Sequence, residues 1–350
     1  MKYSFWKGKN VFMTGHTGFK GSWLSLILQE LGANVTGFSL PAPTTPNLFK
    51  IAHVAKGMTS LRGDIRDQEQ IKKAIQQTNP DILIHLAAQS LVRHSYDHPL
   101  ETYSTNVMGL VHLCEAVRET PSIKSVVNVT SDKCYENKER STPYHEDDAM
   151  GGIDPYSSSK GCAELIGSSY KRSYSLPIAS ARAGNVIGGG DWAKDRLIPD
   201  MFRAITKKET IYIRNPNSIR PWQHVFEPLI GYLSLAQALY EKGMPYAQGW
   251  NFGPAEQEAK SVHWIVKYIS KNWGEEVIFK LDPARADFHE AQNLRLDSTK
   301  AYKELNWQPI WDLSTTLNKV IDWQLAYLNH ENIRTFSQKQ ITEYLEKLGK

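Results

Sequence analysis

Tyr156 and Lys160 are the residues whose types and spacing point most directly to catalysis. They stand four positions apart in Tyr156-Ser157-Ser158-Ser159-Lys160, a spacing that places both side chains on one face of an α-helix. A phenol ordinarily ionises near pH ~10, and a neighbouring cation favours its phenolate. The pair therefore predicts a base that removes a proton from a hydroxyl group, although the same spacing also occurs by chance on helix surfaces.

A hydroxyl, a carboxylate and an amine follow one another at Ser131-Asp132-Lys133. They lie at the carboxyl end of a predicted strand, Ser125–Thr130, and catalytic groups gather at that edge of parallel sheets. Asp132 could act as an acid or could simply cap a turn. Lys133 must be neutral to act as a base, and its free pKa is near ~10.4, so it would need a lowered pKa or would only orient a water.

Gly15, Gly18 and Gly21 are three residues apart, between a predicted strand at Asn10–Thr14 and a predicted helix at Lys20–Leu31. Gly15 permits a tight turn, and Gly18 lets the backbone approach a pyrophosphate. Gly21 lets the helix pack close to the strand, with its N-terminus toward the phosphates. At the first strand-to-helix junction, this pattern predicts a dinucleotide site.

The residues after the second predicted strand bear on which dinucleotide binds. They read Gly37-Phe38-Ser39-Leu40, without the acidic residue that usually contacts the ribose. No Arg or Lys stands between them and Lys50 to contact a 2′-phosphate. We therefore predict NAD rather than NADP, while a contact from His16 to the ribose could reverse that preference.

The scaffold around these residues alternates short β-rich runs with helical patterns. The predicted strands are Asn10–Thr14, Asn34–Phe38, Met58–Arg62, Ile82–Leu86, Ser125–Thr130 and Ile178–Ala183. The predicted helices include Lys20–Leu31, Gln68–Gln77, Thr105–Glu119, Ser157–Tyr174 and Pro228–Lys242. This alternation predicts an α/β protein with a Rossmann-like doubly wound parallel sheet.

The regular pattern weakens after about residue 187. Gly188–Asp191 is typical of a flexible joint, and Asn251–Pro254 of a turn. We predict an NAD-binding domain over 1–187 plus about 222–252, and a smaller C-terminal α/β substrate-binding lobe over 188–221 and 253–330. Residues 331–350 are predicted to form a C-terminal helix.

Composition excludes several classes of protein. The chain has 350 residues, 41% of them hydrophobic, and a net charge of +4 without a dense basic block, so a nucleic-acid partner is not predicted. Apolar runs such as Ile82–Ala88 are too short to span a membrane, and no apolar signal region opens the chain. The cysteines have no metal-ligand spacing and suit a reduced cytoplasmic interior, and we predict no metal site; they are Cys114, Cys134 and Cys162.

Several longer motifs together resemble the extended short-chain dehydrogenase/reductase family, in its sugar-nucleotide 4,6-dehydratase branch. The resemblance covers about residues 5 to 325. The Ser-Asp-Lys version of the catalytic motif resembles in particular the members that act on CDP-glucose. The other motifs are His16–Gly21, Arg182–Trp192, Arg220–Val225 and His289-Glu290-Ala291, with Leu294 and Leu296-Asp297 after them.

The resemblance implies a role for each catalytic residue. Ser131 would hydrogen-bond the reacting sugar oxygen, and Asp132 would protonate the departing C6 hydroxyl. Most of these dehydratases have a Glu next, the base that takes the C5 proton, where this chain has Lys133. Tyr156, assisted by Lys160, would remove the C4 hydroxyl proton while NAD takes the C4 hydride.

The resemblance also implies binding residues, each of which could instead be a surface or turn residue. Asp64 would contact the adenine, or would only cap a helix. The other cofactor-binding residues would be Gly15, His16, Thr17, Gly18, Phe19, Lys20, Gly21, Ile65, Leu86, Ala87, Gln89, Thr105, Tyr156 and Lys160. Residues on the substrate side would be Arg93, Asn106, Asn185, Arg220 and His289, with Asn106 ordering the active-site helix and its water.

Other functions fit parts of this pattern. Another nucleotide sugar, dTDP-glucose or GDP-mannose, could replace CDP-glucose. A 4-epimerase or a simple reductase would share the glycine loop and Tyr156 but would not need an acid at Asp132. A non-catalytic redox sensor would commonly lack Tyr156 and Lys160. The resemblance further implies a homodimer or homotetramer, paired through the helices near Thr105–Glu119 and Ser157–Tyr174.

Overall fold

A computed structural model describes residues 1–213, 215–274, 277–281 and 294–349. Its centre is a seven-stranded sheet with the order β11-β6-β5-β4-β1-β2-β3, and every neighbouring pair in it is parallel. The strands are β1 (Asn10–Thr14), β2 (Asn34–Ser39), β3 (Thr59–Arg62), β4 (Ile82–His85), β5 (Ser125–Val129), β6 (Ile178–Ala183), β7 (Val186–Ile187), β8 (Ile211–Ile213), β9 (Ile219–Pro221), β10 (Gln223–His224), β11 (Gly249–Phe252), β12 (Ala259–Ser261) and β13 (Phe279–Leu281).

Helices cover both faces of the sheet, as a parallel sheet requires because its strands are apolar on both sides. The described helices are α1 (Tyr3–Trp6), α2 (Phe19–Glu30), α3 (Leu48–Ile51), α4 (Gln68–Thr78), α5 (Val92–Asp97), α6 (Pro99–Tyr103), α7 (Gly109–Arg118), α8 (Pro155–Tyr174), α9 (Leu197–Thr206), α10 (Phe226–Lys242), α11 (Val262–Asn272), α12 (Thr299–Leu305), α13 (Leu313–Leu328) and α14 (Ile333–Leu348). A π-helical turn at Ser104–Met108 joins α6 to α7.

Two buried clusters divide these helices between the faces. On one face, α4, α7 and α8 contribute Ile75, Leu113 and Ala163. On the other, α2, α10 and α14 contribute residues such as Leu24 and Phe226. The doubly wound α/β fold predicted from sequence is therefore confirmed.

The sheet order reverses between β1 and β4. At such a switch point the loops from the two strands diverge and leave a crevice at the carboxyl ends. The glycine loop follows β1, and the Ser131-Asp132-Lys133 turn follows β5. Both motifs therefore open toward the same edge of the sheet.

A third buried cluster lies beyond β6. It contains Ile198 and Met201 of α9, Ile265 of α11, and Leu317 of α13. Three short strand pairs frame it: β7 with β10, β8 with β13, and β9 with β12. This part of the chain faces the crevice from the side opposite the glycine loop.

Two local predictions after residue 187 are wrong. Asn251 and Phe252 were expected in a turn, but they end β11, which pairs with β6 as the seventh strand. Gly188–Gly190 were expected to form a flexible joint, but these glycines are buried. Gly189 packs so closely on Trp323 that a Cβ there would overlap the indole ring.

The predicted helices start and end close to the expected residues. Asp154 caps α8 by accepting a hydrogen bond from the backbone N–H of Ser157, with Pro155 at its first position. The predicted C-terminal helix is α14, whose Ile341 and Tyr344 are buried. In the described part of the chain, none of the helices combines the length and apolar character needed to cross a bilayer.

Candidate active site

The crevice is a cleft of about 1190 Å³ that collects most of the predicted site residues. It is larger than the roughly 300–1,000 Å³ typical of a single small-ligand pocket. The predicted residues that line it are Gly15, Thr17, Gly18, Phe19, Lys20, Gly21, Asp64, Ile65, Leu86, Ala87, Gln89, Arg93, Thr105, Ser131, Asp132, Lys133, Tyr156, Lys160, Asn185 and Arg220.

The glycine loop has the close packing expected of a phosphate cradle. Gly15 has φ +76°, and a Cβ there would come 2.7 Å from the backbone N of Ala87. A Cβ on Gly21 would overlap the carbonyl of Gly15. Gly18 is the N-cap of α2 and offers no side-chain cap, so the N-terminal N–H groups of this helix face the cleft and suit an anion.

His16 is the exception within this loop. Its ring packs over Gly37 of β2 and edge-on to Phe49, and its Nε2 lies 2.7 Å from Ser60 Oγ. Burial lowers the pKa of His16 to about 4. The ring is thus directed into the protein beside β2 and β3, and the alternative that His16 contacts the ribose stays a prediction.

The end of β2 is closed by hydroxyl groups rather than by a carboxylate. Thr17 Oγ1 lies 2.8 Å from Ser39 Oγ and donates to the carbonyl of Leu40 at 2.9 Å. Ser39 and Leu40 also line the cleft. A ribose at this position would meet neutral groups, which suits a 2′-hydroxyl better than a 2′-phosphate.

Asp64 lies at the same end of the cleft, where it pairs with Arg66. The guanidinium contacts both carboxylate oxygens, with a shortest distance of 2.6 Å. Hydrogen bonds from Arg66 hold the pKa of Asp64 below its usual value. Asp64 is thus an ionised acceptor at the cleft wall, compatible with the predicted adenine contact.

Asn106 joins two elements of the site through its side-chain amide. Its Oδ1 accepts from the backbone N–H of Gln89 at 2.8 Å, and its Nδ2 donates to the carbonyl of Gln89 and to Ser159 Oγ. Asn106 is buried within the π-helical turn, a feature common at functional sites. These bonds join the loop after β4 to α8, in keeping with the predicted ordering role, and a contact of Asn106 with substrate stays a prediction.

Tyr156 and Lys160 are both buried on the first turns of α8. Lys160 Nζ donates to the carbonyl of Val129 at 3.2 Å, and burial lowers the pKa of this amine to about 8. Burial raises the pKa of Tyr156 to about 12, against a hydrogen bond with Ser131 and the charge of Arg196. The expected lowering of the phenol pKa is not found, because burial outweighs these contacts.

The Ser131-Asp132-Lys133 turn comes directly after β5 and faces Tyr156. Ser131 caps the turn, and its Oγ donates to Asp132 Oδ1 at 2.9 Å. Burial raises the pKa of Asp132, although the charges of Lys133 and Lys20 oppose the shift. Burial thus shifts this carboxyl toward its protonated form, which is the form that an acid catalyst needs. We call Ser131, Asp132, Tyr156 and Lys160 the catalytic floor.

A buried network supports this turn from behind. Thr130 Oγ1 donates to Glu164 at 2.5 Å, and Arg182 forms a bidentate ion pair with Glu164. Arg182 also donates to the hydroxyl of Tyr135, which donates to Asn251 Oδ1. A charge pair buried this deeply is tolerated only when its hydrogen bonds are complete, so it fixes the positions of β5, β6 and α8.

The network continues into the C-terminal part of the chain. Asn251 Nδ2 donates to the carbonyls of Tyr144 and Asp297, at 2.9 and 3.1 Å. Tyr144 in turn exchanges backbone hydrogen bonds with Arg295 and Asp297. The segment after the catalytic turn is therefore tied to residues near position 297.

Arg196 is a site residue that was missed from sequence. It lines the cleft and pairs with Asp191 at 2.9 Å. Its charge lowers the pKa of both Tyr156 and Lys20. The signal was Lys194-Asp195-Arg196 directly after the Gly188–Asp191 motif, a cation in a loop that returns to the cleft.

Three of the predicted substrate residues, Arg93, Asn185 and Arg220, line the cleft. Arg93 forms an ion pair with Asp195 at 3.4 Å, and Asn185 is exposed. Arg220 lies on β9, opposite Lys260 of β12, and is partly exposed. We call these four residues, Arg93, Asn185, Asp195 and Arg220, the rim. His289 lies outside the described residues.

One side-chain cluster near the adenine end has the composition of a metal site. Ligand atoms of His94, His98 and Glu101 lie within 4.8 Å of one another. The same groups contact each other directly, since His94 Nε2 is 2.9 Å from Glu101 Oε2 and the two imidazoles are 4.3 Å apart. The prediction of no metal site was based on the spacing of the cysteines, and it stays a prediction.

Comparison with known proteins finds that the chain is similar to sugar-nucleotide 4,6-dehydratases. The family model described as GDP-mannose 4,6 dehydratase matches residues 12–320. CDP-glucose 4,6-dehydratase of Salmonella typhimurium is 51% identical over 351 residues, covering 98% of each chain.

Solved structures share the fold. A dTDP-glucose 4,6-dehydratase from Bacillus anthracis, in complex with NAD, superposes with a TM-score of 0.77 at 23% identity, covering 94% of this chain and 100% of that one. A UDP-glucose 4-epimerase from Thermotoga maritima, with UDP-glucose, gives 0.79 at 21% identity, covering 91% and 99%.

Proposed function

Because the chain belongs to the GDP-mannose 4,6-dehydratase family, we propose that it dehydrates a nucleotide hexose at C4–C6 and that its substrate is CDP-glucose. The observation that carries the proposal is the catalytic floor: an acid, a hydroxyl and a phenol in one cleft, with Lys133 beside them. The Ser-Asp-Lys form of the motif and the similarity to the Salmonella enzyme support CDP-glucose in particular.

NAD is the proposed cofactor, and the cleft fits it. The glycine loop brings the N-terminus of α2 to the cleft without a side chain in between, and neutral hydroxyls at Ser39 and Thr17 suit a ribose with a free 2′-hydroxyl. Asp64, Ile65 and Thr105 would hold the adenine half, and Leu86, Ala87 and Gln89 the middle of the molecule. When bound, NAD supplies the redox chemistry by accepting hydride from C4 and returning it to C6, so no net oxidation occurs.

Tyr156 is proposed to move the proton of the C4 hydroxyl. Ser131 hydrogen-bonds the same oxygen and also interacts with the phenol. A buried phenol with a high pKa stays protonated and cannot accept a proton until positive charge comes close to it and favours the phenolate. Arg196 supplies such a charge, and Lys160 lies on the same face of α8.

Asp132 and Lys133 are proposed to carry out the elimination. Once C4 is a ketone, the C5 proton is acidic, and Lys133 removes it. Asp132 gives its proton to the C6 oxygen, so that the C6–O bond breaks and water leaves as C5 and C6 become doubly bonded. A proton then returns to C5, and the product is CDP-4-keto-6-deoxyglucose.

The rim is proposed to hold the nucleotide. The guanidinium of Arg220 can form two parallel hydrogen bonds with phosphate oxygens, and Asn185 can donate to the same pyrophosphate. Arg93, now paired with Asp195, would face the sugar nucleotide. His289 remains a prediction from sequence.

The proposal is tested by incubating the chain with NAD and CDP-glucose in deuterated water. The expected result is a 4-keto-6-deoxy sugar with deuterium at C5 and no net change in nicotinamide. A parallel series with dTDP-glucose, UDP-glucose and GDP-mannose tests the base, and a higher kcat/KM for any of these would overturn the choice of CDP-glucose. Formation of CDP-galactose without loss of water would instead identify a 4-epimerase.

We also propose that two copies of the chain pair, that the enzyme is cytoplasmic and that its product supplies polysaccharide synthesis. Leu100, Met108 and Leu165 are exposed apolar residues on α6, the π-helical turn and α8, and their arrangement on neighbouring helices supports pairing of two copies there. The cysteines form no disulfides, which suits a cytoplasmic enzyme. The product would supply deoxysugar synthesis for a bacterial surface polysaccharide such as O-antigen.

A further inference from the structure

Gly184 lies directly beneath the carboxyl group of Asp132. It follows the last residue of β6 and precedes Asn185. A Cβ on Gly184 would stand 2.7 Å from Asp132 Oδ2 and 3.4 Å from its Cγ. On another side, the same Cβ would meet Pro221 Cγ at 3.7 Å, so residue 184 has little room to move away from Asp132.

The backbone itself does not demand glycine at this position. Gly184 is not among the described glycines with positive φ, so an alanine there could adopt the same backbone conformation. What an alanine would meet is the far end of one side chain, the Asp132 carboxyl. A substitution at this position should therefore leave the fold intact and displace the acid.

We infer that Gly184 is a positioning residue for the Asp132 acid, an inference that rests on the proposed dehydration. Ser131 holds Oδ1 of this carboxyl through a hydrogen bond of 2.9 Å. Gly184 supplies the other boundary, because any side chain there would begin with a Cβ 2.7 Å from Oδ2. The two contacts together fix the direction in which the carboxyl presents its proton to the C6 oxygen.

Elimination should be the step that depends on this position. The transfer breaks the C6–O bond and moves the Asp132 proton onto the leaving oxygen, while Lys133 takes the C5 proton. A displacement of about 1 Å in a catalytic group can cost about 10²-fold in rate. Oxidation at C4 uses Tyr156 and Ser131, neither of which is among the atoms that a Cβ on Gly184 would meet.

The test compares Gly184→Ala with Gly167→Ala in the full chain with NAD and CDP-glucose. Gly167 is also buried, on α8, but a Cβ there meets Ser180 Oγ at 3.7 Å and Ile178 Cδ1 at 3.8 Å, which is ordinary contact. For Gly184→Ala we expect kcat to fall about 10- to 100-fold with KM nearly unchanged, while the C4-oxidised sugar and reduced nicotinamide accumulate. Gly167→Ala should keep the kcat of the unmodified chain.

A double variant distinguishes displacement of the Asp132 carboxyl from a general loss of activity. In an Asp132→Asn background, Gly184→Ala should cause almost no additional loss, because the acid through which it acts is already gone. A full additional loss in that background, or a kcat for Gly184→Ala like that of the unmodified chain, overturns the inference. If the unmodified chain itself does not dehydrate CDP-glucose, the proposed function fails instead.

Discussion

The catalytic floor and the rim differ most in their exposure to water. The floor residues Ser131, Asp132, Tyr156 and Lys160 are only 6 to 8% exposed. At the rim, the side chains of Arg93 and Asp195 are 31% and 46% exposed. The two regions line one cleft, yet they provide opposite environments for an ionisable group.

The consequence is visible in the pKa values of the floor. Burial raises the pKa of Asp132 and Tyr156 and lowers that of Lys160, so each group is biased toward its neutral form. Neutral acids and bases can exchange protons with a substrate near pH 7. At the rim, Arg93 and Asp195 are paired and partly exposed, so their charged forms lose less hydration than those of the floor, and the partly exposed guanidinium of Arg220 suits a phosphate better than proton transfer.

The largest expected effect is at Tyr156. Tyr156→Phe removes the hydroxyl that exchanges the C4 proton, and we expect kcat to fall by about 10³-fold or more, near the upper part of the range for acid–base groups. Cofactor binding, measured by titration of NAD into the variant, should be retained. A near-normal kcat would show that the catalytic floor does not supply the base.

Asp132→Asn should have the next largest effect. The amide keeps the shape of the carboxyl but cannot donate an acidic proton, so we expect kcat to fall by about 10²- to 10³-fold. Oxidation at C4 should still occur, and single-turnover absorbance should show reduced nicotinamide that persists. Dehydration at an unchanged rate would remove Asp132 from the role of acid.

Arg220→Ala tests whether the rim acts in substrate binding rather than in catalysis. Losing a bidentate contact to phosphate should raise KM for CDP-glucose by about 10-fold, while kcat stays within about 3-fold. Arg220→Lys should recover only part of the affinity, because an ammonium cannot form the same two parallel bonds. A loss confined to kcat would mean that Arg220 acts with the floor rather than with the rim.

The smallest expected effect concerns stability and its dependence on pH. Burial and the charges of Arg196 and Lys160 lower the pKa of Lys20 from 10.5 to about 7. A lysine with a lowered pKa destabilises the folded chain below about pH 7, and the penalty disappears as pH rises toward 10.5. Lys20→Met, measured without ligands, should raise Tm by a few degrees at pH 7 and by nothing near pH 10.5.

Lys73→Met, on the exposed face of α4, is the matched control for that measurement. It should change Tm little at either pH, because an exposed lysine loses no hydration on folding. If Tm depended on pH in the same way for Lys20→Met and Lys73→Met, Lys20 in the cleft would be as well hydrated as Lys73 on the surface.

The two halves of the chain were not equally predictable from sequence. Strands β1 to β6 were predicted within one residue at either end, because short β-rich runs alternate with helical patterns in this part of the chain. β11 was missed because it contains Asn251 and is followed by Gly253-Pro254, which are residues typical of turns. Here tertiary hydrogen bonds to Asn251 override its local preference.

The catalytic residues were found from motifs, but their chemical states were not. Whether the phenol of Tyr156 has a raised or a lowered pKa depends on burial by elements distant in sequence. The bonding of Asn106 to Gln89 and Ser159 likewise depends on two separate elements meeting, as does the contact of Gly184 with Asp132. Local sequence contains the groups but not these long-range contacts.

The hydrogen bonds of Asn251 have a consequence for synthesis of the chain. Tyr135, two residues beyond Lys133 of the catalytic turn, bonds to the side chain of Asn251, more than a hundred positions later, and Asn251 bonds in turn to the carbonyl of Asp297. On the ribosome, the turn is therefore translated long before its support exists. A nascent chain that has not yet exposed residue 297 should therefore lack part of the hydrogen-bond network behind its catalytic turn.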